Sequence, residues 1–130
     1  MNSYISKIVE TMINCKKKNL FNERQIILAS FDHLLIKHLK SVLNLHNINP
    51  KFGLIFSSNP VNFFNYDNTL CDFIVQCIRS MNKPFLKYTQ LHNMKYLVYT
   101  INSEEMMKKL IEIKVDGIIT DYPDKLSKLL

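Results

Sequence analysis

The chain is 130 residues long, 47% hydrophobic and 22% charged, a balance that excludes intrinsic disorder and allows one domain-sized unit. Seventeen Lys and Arg against eleven Asp and Glu give a net charge of +6 and a pI near 9.2, which on charge alone suits anionic partners. Nucleic acid and an anionic membrane surface are the two such partners, but lysines are scattered from Lys37 to Lys114 and no recognition motif accompanies them, so an ordinary solvated surface is expected in place of either.

Ser3 to Lys16 sets Ile5, Ile8, Val9, Met12 and Ile13 at helical spacing, with Lys7, Glu10 and Asn14 opposite. This predicts an amphipathic helix packed on a sheet, and the run Lys16-Lys17-Lys18 suits its C-terminal end. Ile26 to Phe31 is a continuous apolar run, the mark of a parallel strand buried on both faces. Asp32 stands at the N-cap of a second helix with Leu34, Leu35, Leu39, Val42 and Leu43 on its apolar side. Asn47 to Pro50 ends it.

Phe52 to Phe56 is the next strand, closed by the turn formers Ser57-Ser58-Asn59-Pro60. Val61 to Leu70 mixes Asn65, Asp67 and Asn68 with Phe63, Phe64 and Tyr66, and reads as a loop with one helical turn. Phe73 to Gln76 forms a short strand. Lys83 to His92 is a helix with Pro84 tolerated in its first turn. Tyr96 to Ile101 is a strand, and Asn102-Ser103-Glu104-Glu105 opens the following helix with a capping hydroxyl and acids that suit the helix dipole. Met106, Met107, Leu110, Ile111 and Ile113 form its buried side. Gly117 to Thr120 is the last strand, and Asp124 to Leu130 a terminal helix. The pattern is a helix followed by five strand-helix units.

Polar groups gather just past the last two strands, at Tyr99, Thr100 and Asn102 and at Thr120, Asp121 and Tyr122. Parallel α/β proteins keep their chemistry at such carboxyl ends. The string Val115-Asp116-Gly117-Ile118-Ile119-Thr120-Asp121-Tyr122-Pro123-Asp124 resembles the closing strand and loop of the glycerophosphodiester phosphodiesterase family, a TIM-barrel group. Val98-Tyr99-Thr100-Ile101-Asn102 is similar to that family's penultimate strand, with Tyr99 where Trp is usual. Ile26-Ile27-Leu28-Ala29-Ser30-Phe31-Asp32 resembles its Ser-Phe-Asp strand end. Three motifs in the family's order identify the chain as resembling the family's carboxyl-terminal part.

The resemblance implies an α/β fold: a partial (βα) TIM barrel of about five parallel strands with flanking helices, lacking the first strands. A complete barrel takes roughly 200 to 250 residues, so residues 1–130 are expected to be a carboxyl-terminal fragment. Family members hydrolyse glycerophosphodiesters in lipid metabolism, with a divalent cation on carboxylates and histidines as acid and base. The His-Arg-Gly, Glu-x-Asp and His-Asp motifs that carry this are not found here. Glu112-Ile113-Lys114 mimics a Glu-x-Lys strand but falls at the end of a helical pattern.

No catalytic or metal-binding residue is therefore expected in this chain, and no cofactor, although a complete family member would use a divalent metal. His33, His38, His46 and His92 show no ligand spacing. Ser30, Phe31 and Tyr99 are the candidate substrate-binding residues, each equally able to pack the barrel mouth. Asp121 either points over that mouth or caps the helix after Pro123, the cap being preferred. Thr100 and Asn102 hold the strand-to-helix turn, Asp116 is a turn residue, and Asp32 is a cap.

Cys15, Cys71 and Cys77 are odd in number and form no C-x-x-C pair, which favours reduced thiols and a cytoplasmic location. No signal peptide opens the chain, and no apolar stretch reaches the ~18 residues of a membrane span. Activity is expected only with a separate polypeptide that supplies the first barrel strands, the glycerophosphodiester then being the substrate. The alternative is a noncatalytic remnant, or a binding or oligomerisation module that keeps part of the fold.

Overall fold

A computed structural model describes residues 3–130, which divide into two compact units, one reaching to residue 55 and the other residues 56–130. Both units are α/β, and all of the strand pairs described are parallel.

The first unit contains α1 (Ser3–Lys17), β1 (Ile27–Ser30) and α2 (His33–Leu45), and most of β2 (Lys51–Phe56). Ile5, Val9 and Met12 of α1 and Ile36, Leu39 and Leu43 of α2 are buried, the three-to-four spacing that gives each helix one apolar face. The two helices lie in contact. β1 pairs with β2 from Ile27 with Lys51 to Ser30 with Leu54. Burial on both faces was the expectation for β1, and the structure corrects it. Ile27 and Ala29 are exposed while Leu28 and Ser30 are half-buried, because α2 covers one face of the strand only.

In the second unit β3 (Phe73–Cys77), α3 (Lys83–Leu91), β4 (Lys95–Tyr99), α4 (Glu104–Glu112), β5 (Gly117–Ile118) and α5 (Pro123–Ser127) alternate. The strands lie in chain order, Ile74 beside Tyr96, Gln76 beside Val98, and Val98 beside Ile118. Phe85 of α3 is fully buried and meets Phe56 and Tyr96 edge to face, each at 5.8 Å between centroids. Within the 61–70 segment one helical turn forms at Phe63–Asn65. Phe63 stacks on Phe85 at 5.1 Å, and the Tyr88 hydroxyl donates to the carbonyls of Phe64 and Tyr66, both at 2.9 Å. Phe63 thus takes its cover from α3, while Phe64 stays exposed and the Tyr66 ring packs on Phe56.

The last two strands are shorter than predicted. β4 stops at Tyr99, whose peptide bond to Thr100 is cis, and Ile119 leaves the ladder after donating to Val98 O and accepting from Ile101 N. Caps open three helices as their sequences require: Asp32 Oδ1 accepts Leu35 N at 3.0 Å, Asn82 Oδ1 accepts Phe85 N at 3.3 Å, and Ser103 Oγ accepts Met106 N at 3.2 Å.

The four long helices also end alike. Asn19, Asn47, Asn93 and Lys114 follow α1 to α4 with φ of 52°, 54°, 56° and 60°, the left-handed conformation usually given to glycine. Beyond each, the next N–H reaches back five residues: Leu20 to Cys15, Ile48 to Leu43, Met94 to Thr89 and Val115 to Leu110. These are Schellman closures, and they satisfy carbonyls that the helix leaves open.

Candidate functional site

The sequence places its candidates at strand carboxyl ends, and each unit contributes some. In the first, Ser30 closes β1 in register with buried Leu54, so the two side chains share a face of the sheet. Its Oγ accepts the N–H of Asp32 at 3.0 Å. Phe31 follows and is 61% exposed. His33 Nε2 donates to the carbonyl of Ile55 at 3.0 Å, so this nitrogen carries the proton in that bond.

In the second unit Tyr99 ends β4 beside Cys77 of β3. Its hydroxyl donates to Phe56 O at 3.0 Å. Burial pushes the phenol pKa up, and the neighbouring Cys77 adds to the rise, because both would carry negative charge when ionised. Tyr99 remains partly accessible, and presents a neutral, anchored ring at the strand end.

Beyond β4 and β5 the polar residues form one network. Asn102 Nδ2 donates to Asp121 Oδ2 at 2.8 Å, and Asn102 Oδ1 accepts from Thr120 Oγ1 at 3.2 Å and from Asp121 N at 3.0 Å. Thr120 Oγ1 accepts Tyr122 N at 3.0 Å. Asn102 therefore does more than hold its own turn, since it binds the loop after the next strand. The preferred role for Asp121 is also corrected: Tyr122 is the N-cap residue of α5, no side chain caps that helix, and the Asp121 carboxylate serves Asn102. Lys125 Nζ lies 4.2 Å from the centroid of the Tyr122 ring.

Asp116 is more than a turn residue. Its Oδ1 pairs with Lys95 Nζ at 3.0 Å and its Oδ2 accepts Tyr96 N at 2.8 Å, joining the amino ends of β4 and β5. Gln76, noted in the sequence only as a strand residue, is fully buried. Its Nε2 reaches Ser80 Oγ and the carbonyls of Ser80 at 3.2 Å and Ser58 at 3.4 Å, while Oε1 has no partner. A polar residue inside an apolar strand was the available signal, and it fixes the turn after β3.

Among the described residues no group of three or more His, Cys, Asp or Glu could hold a metal ion. In the first unit the Asp32 carboxylate is committed to its cap, and in the second the Asp121 carboxylate to Asn102.

Parallel strands alternating with helices, with polar residues hydrogen-bonded just past β4 and β5, make this a parallel α/β protein. The chain belongs to the glycerophosphoryl diester phosphodiesterase family, whose pattern it matches over residues 1–125. A glycerophosphodiester phosphodiesterase from Parabacteroides distasonis ATCC 8503 superposes with a TM-score of 0.77 at 14% identity, over 99% of this chain and 52% of its own. An Oleispira antarctica phosphodiesterase, solved with the product sn-glycerol-3-phosphate, gives 0.72 at 19% identity, over 95% of this chain and 50% of its own. The uncharacterized protein YqiK of Bacillus subtilis (strain 168) is 56% identical over 32 residues, which are 25% of this chain and 13% of YqiK. The chain spans about half the length of these two solved structures. Their likeness gives the fold, the (βα) TIM barrel of which this chain has five parallel strands with flanking helices.

Proposed function

We propose that this chain serves glycerophosphodiester hydrolysis in lipid metabolism as the carboxyl-terminal part of a phosphodiesterase barrel. The observation that carries the reading is that nearly all of the chain aligns with about half of complete phosphodiesterases of this fold, together with the family match. In this reading a separate polypeptide brings the first strands with the divalent metal and the acid-base residues. Ser30, Phe31 and Tyr99 then line the substrate side of the completed mouth, Tyr99 as a flat wall that packs against the diester. Without that polypeptide the chain is inactive. A cytoplasmic setting agrees with the free thiols of Cys15, Cys71 and Cys77. No helix among the described residues is long and apolar enough to cross a membrane.

The test is hydrolysis of glycerophosphocholine with a divalent cation, by the chain alone and with a polypeptide carrying the family's first strands. Activity is expected only in the mixture, and lower with Tyr99→Ala. Turnover by the pure chain overturns the division of labour. A second reading, a noncatalytic oligomerisation module, draws on the exposed Ile27 and Phe31 in the first unit and Ile119 in the second. Self-association in light scattering, with no activity in any mixture, selects it.

A further inference from the structure

The positive charge is not evenly spread over the structure. Residues 1–55 hold eight Lys and Arg against Glu10, Glu23 and Asp32, a net +5 of the chain's +6, whereas residues 56–130 hold nine against eight. Two of the three acids are already engaged, Glu23 with Lys16 at 3.2 Å and Asp32 in its cap. Three of these eight cations, Lys16, Lys17 and Lys18, stand where α1 and α2 end side by side, joined by Lys16 Nζ donating to Asn47 O.

There the three consecutive lysines, Lys16, Lys17 and Lys18, are exposed. Beside them a groove of about 430 Å³ has Ile13 and Ile48 in its lining with Lys16, Lys17 and His46. Two large apolar side chains stand in solvent at the same helix ends, Leu20 at 67% and Leu45 at 81% exposure. Leu20 is out of keeping with its equivalents. In the Schellman closures of α2 and α3 the corresponding residues, Ile48 and Met94, are both 2% exposed, because a hydrophobic contact back to the helix accompanies this motif. After α1 the same position leaves its leucine uncovered.

We propose that the carboxyl-terminal ends of α1 and α2 form a docking surface for an anionic lipid bilayer. Lysines draw such a surface to acidic headgroups, and leucines set among them enter the boundary between headgroup and acyl chain. Lysines would serve a phosphate backbone as well as acidic headgroups, but exposed leucines among them have no partner on nucleic acid and suit a bilayer; this unit has a single arginine, Arg24. Docking is peripheral and reversible, and brings the protein to the surface where lipid-derived diesters arise.

Sedimentation of the full chain with vesicles of phosphatidylcholine plus phosphatidylserine, and of phosphatidylcholine alone, tests this without any assay of hydrolysis. Binding is expected with the acidic vesicles only and falls as salt is raised. Lys17→Glu with Lys18→Glu should lower the partition coefficient by about tenfold or more. Leu20→Ser with Leu45→Ser should lower it several-fold while leaving the salt dependence in place. A control pair in the other unit, Lys108→Glu with Lys128→Glu, should bind as the parent does. Equal binding to both vesicle types, no binding to either, or an equal loss in the control pair overturns the proposal. So does retention on duplex DNA through the same lysines without vesicle binding, or a dimer abolished by the leucine changes without vesicle binding.

Discussion

Asn102 holds Asp121 twice, through its side-chain amide to the carboxylate at 2.8 Å and through its carbonyl oxygen from the backbone N–H at 3.0 Å. The two residues lie after different strands, so a single amide fixes the spacing of two loops. Asn102→Ala removes both bonds and the one from Thr120. Because the group is exposed, a loss of about 1 kcal/mol is expected in urea denaturation, with faster amide exchange at Asp121 and Tyr122. Unchanged exchange there would contradict the clamp.

Gln76 is predicted to be worth more. Gln76→Ala opens a cavity in a fully buried site and leaves the Ser58 and Ser80 carbonyls without its amide, a cost of about 2 to 4 kcal/mol. Gln76→Leu fills the space and also removes the unpartnered Oε1, so its cost should be smaller. Urea midpoints that rank the two the other way would show that the hydrogen bonds, and not the volume, dominate.

A side chain at Gly117 would displace the end of Leu97, since a Cβ built there lies 2.6 Å from Leu97 Cδ2. Leu97 is Gly117's register partner on the adjacent strand. Gly117→Ala is expected to destabilise by about 1 to 3 kcal/mol. The double change with Leu97→Val should recover part of this, giving a coupling that a double-mutant cycle measures.

Tyr96 supplies a pH dependence. Burial raises its pKa from 10.0 to about 12, with the backbone of Asn82 working in the opposite direction. The folded state therefore keeps a proton that the unfolded state releases first, so this contribution is whole below pH 10 and lost between pH 10 and about 12. Over that window the parent should lose about 2 to 3 kcal/mol more than Tyr96→Phe. Parallel stability curves for the two proteins would refute the assignment.

Local chemistry made much of the fold legible. Asp32 and Ser103 were readable as caps because the cap residue and the N–H that donates to it are three residues apart, and the helix faces followed from the spacing of apolar residues. What escaped was set by distant partners. Asp121 looked like a cap for α5 from its position before Pro123, but Asn102, 19 residues earlier, holds its carboxylate. Asp116 looked like a turn residue, whereas Lys95 and Tyr96 occupy both oxygens. The apolar run at Ile26 to Phe31 suggested two buried faces, and only the folded chain reveals which face has a helix over it.

The helix stops of α1 to α4 have a thermodynamic consequence. With only two glycines in 130 residues, the chain turns left-handed on three asparagines and one lysine. Those side chains narrow the unfolded ensemble, which offsets part of the strain they bear when folded. Replacing the asparagines by glycine should accordingly be close to neutral. Lys114→Gly, which relieves a residue poorly suited to that geometry, should raise the thermal midpoint, by the equivalent of about 1 kcal/mol. The economy of glycine in this chain thus leaves one helix stop, Lys114, where heat resistance can be gained without touching the carboxyl ends of the strands.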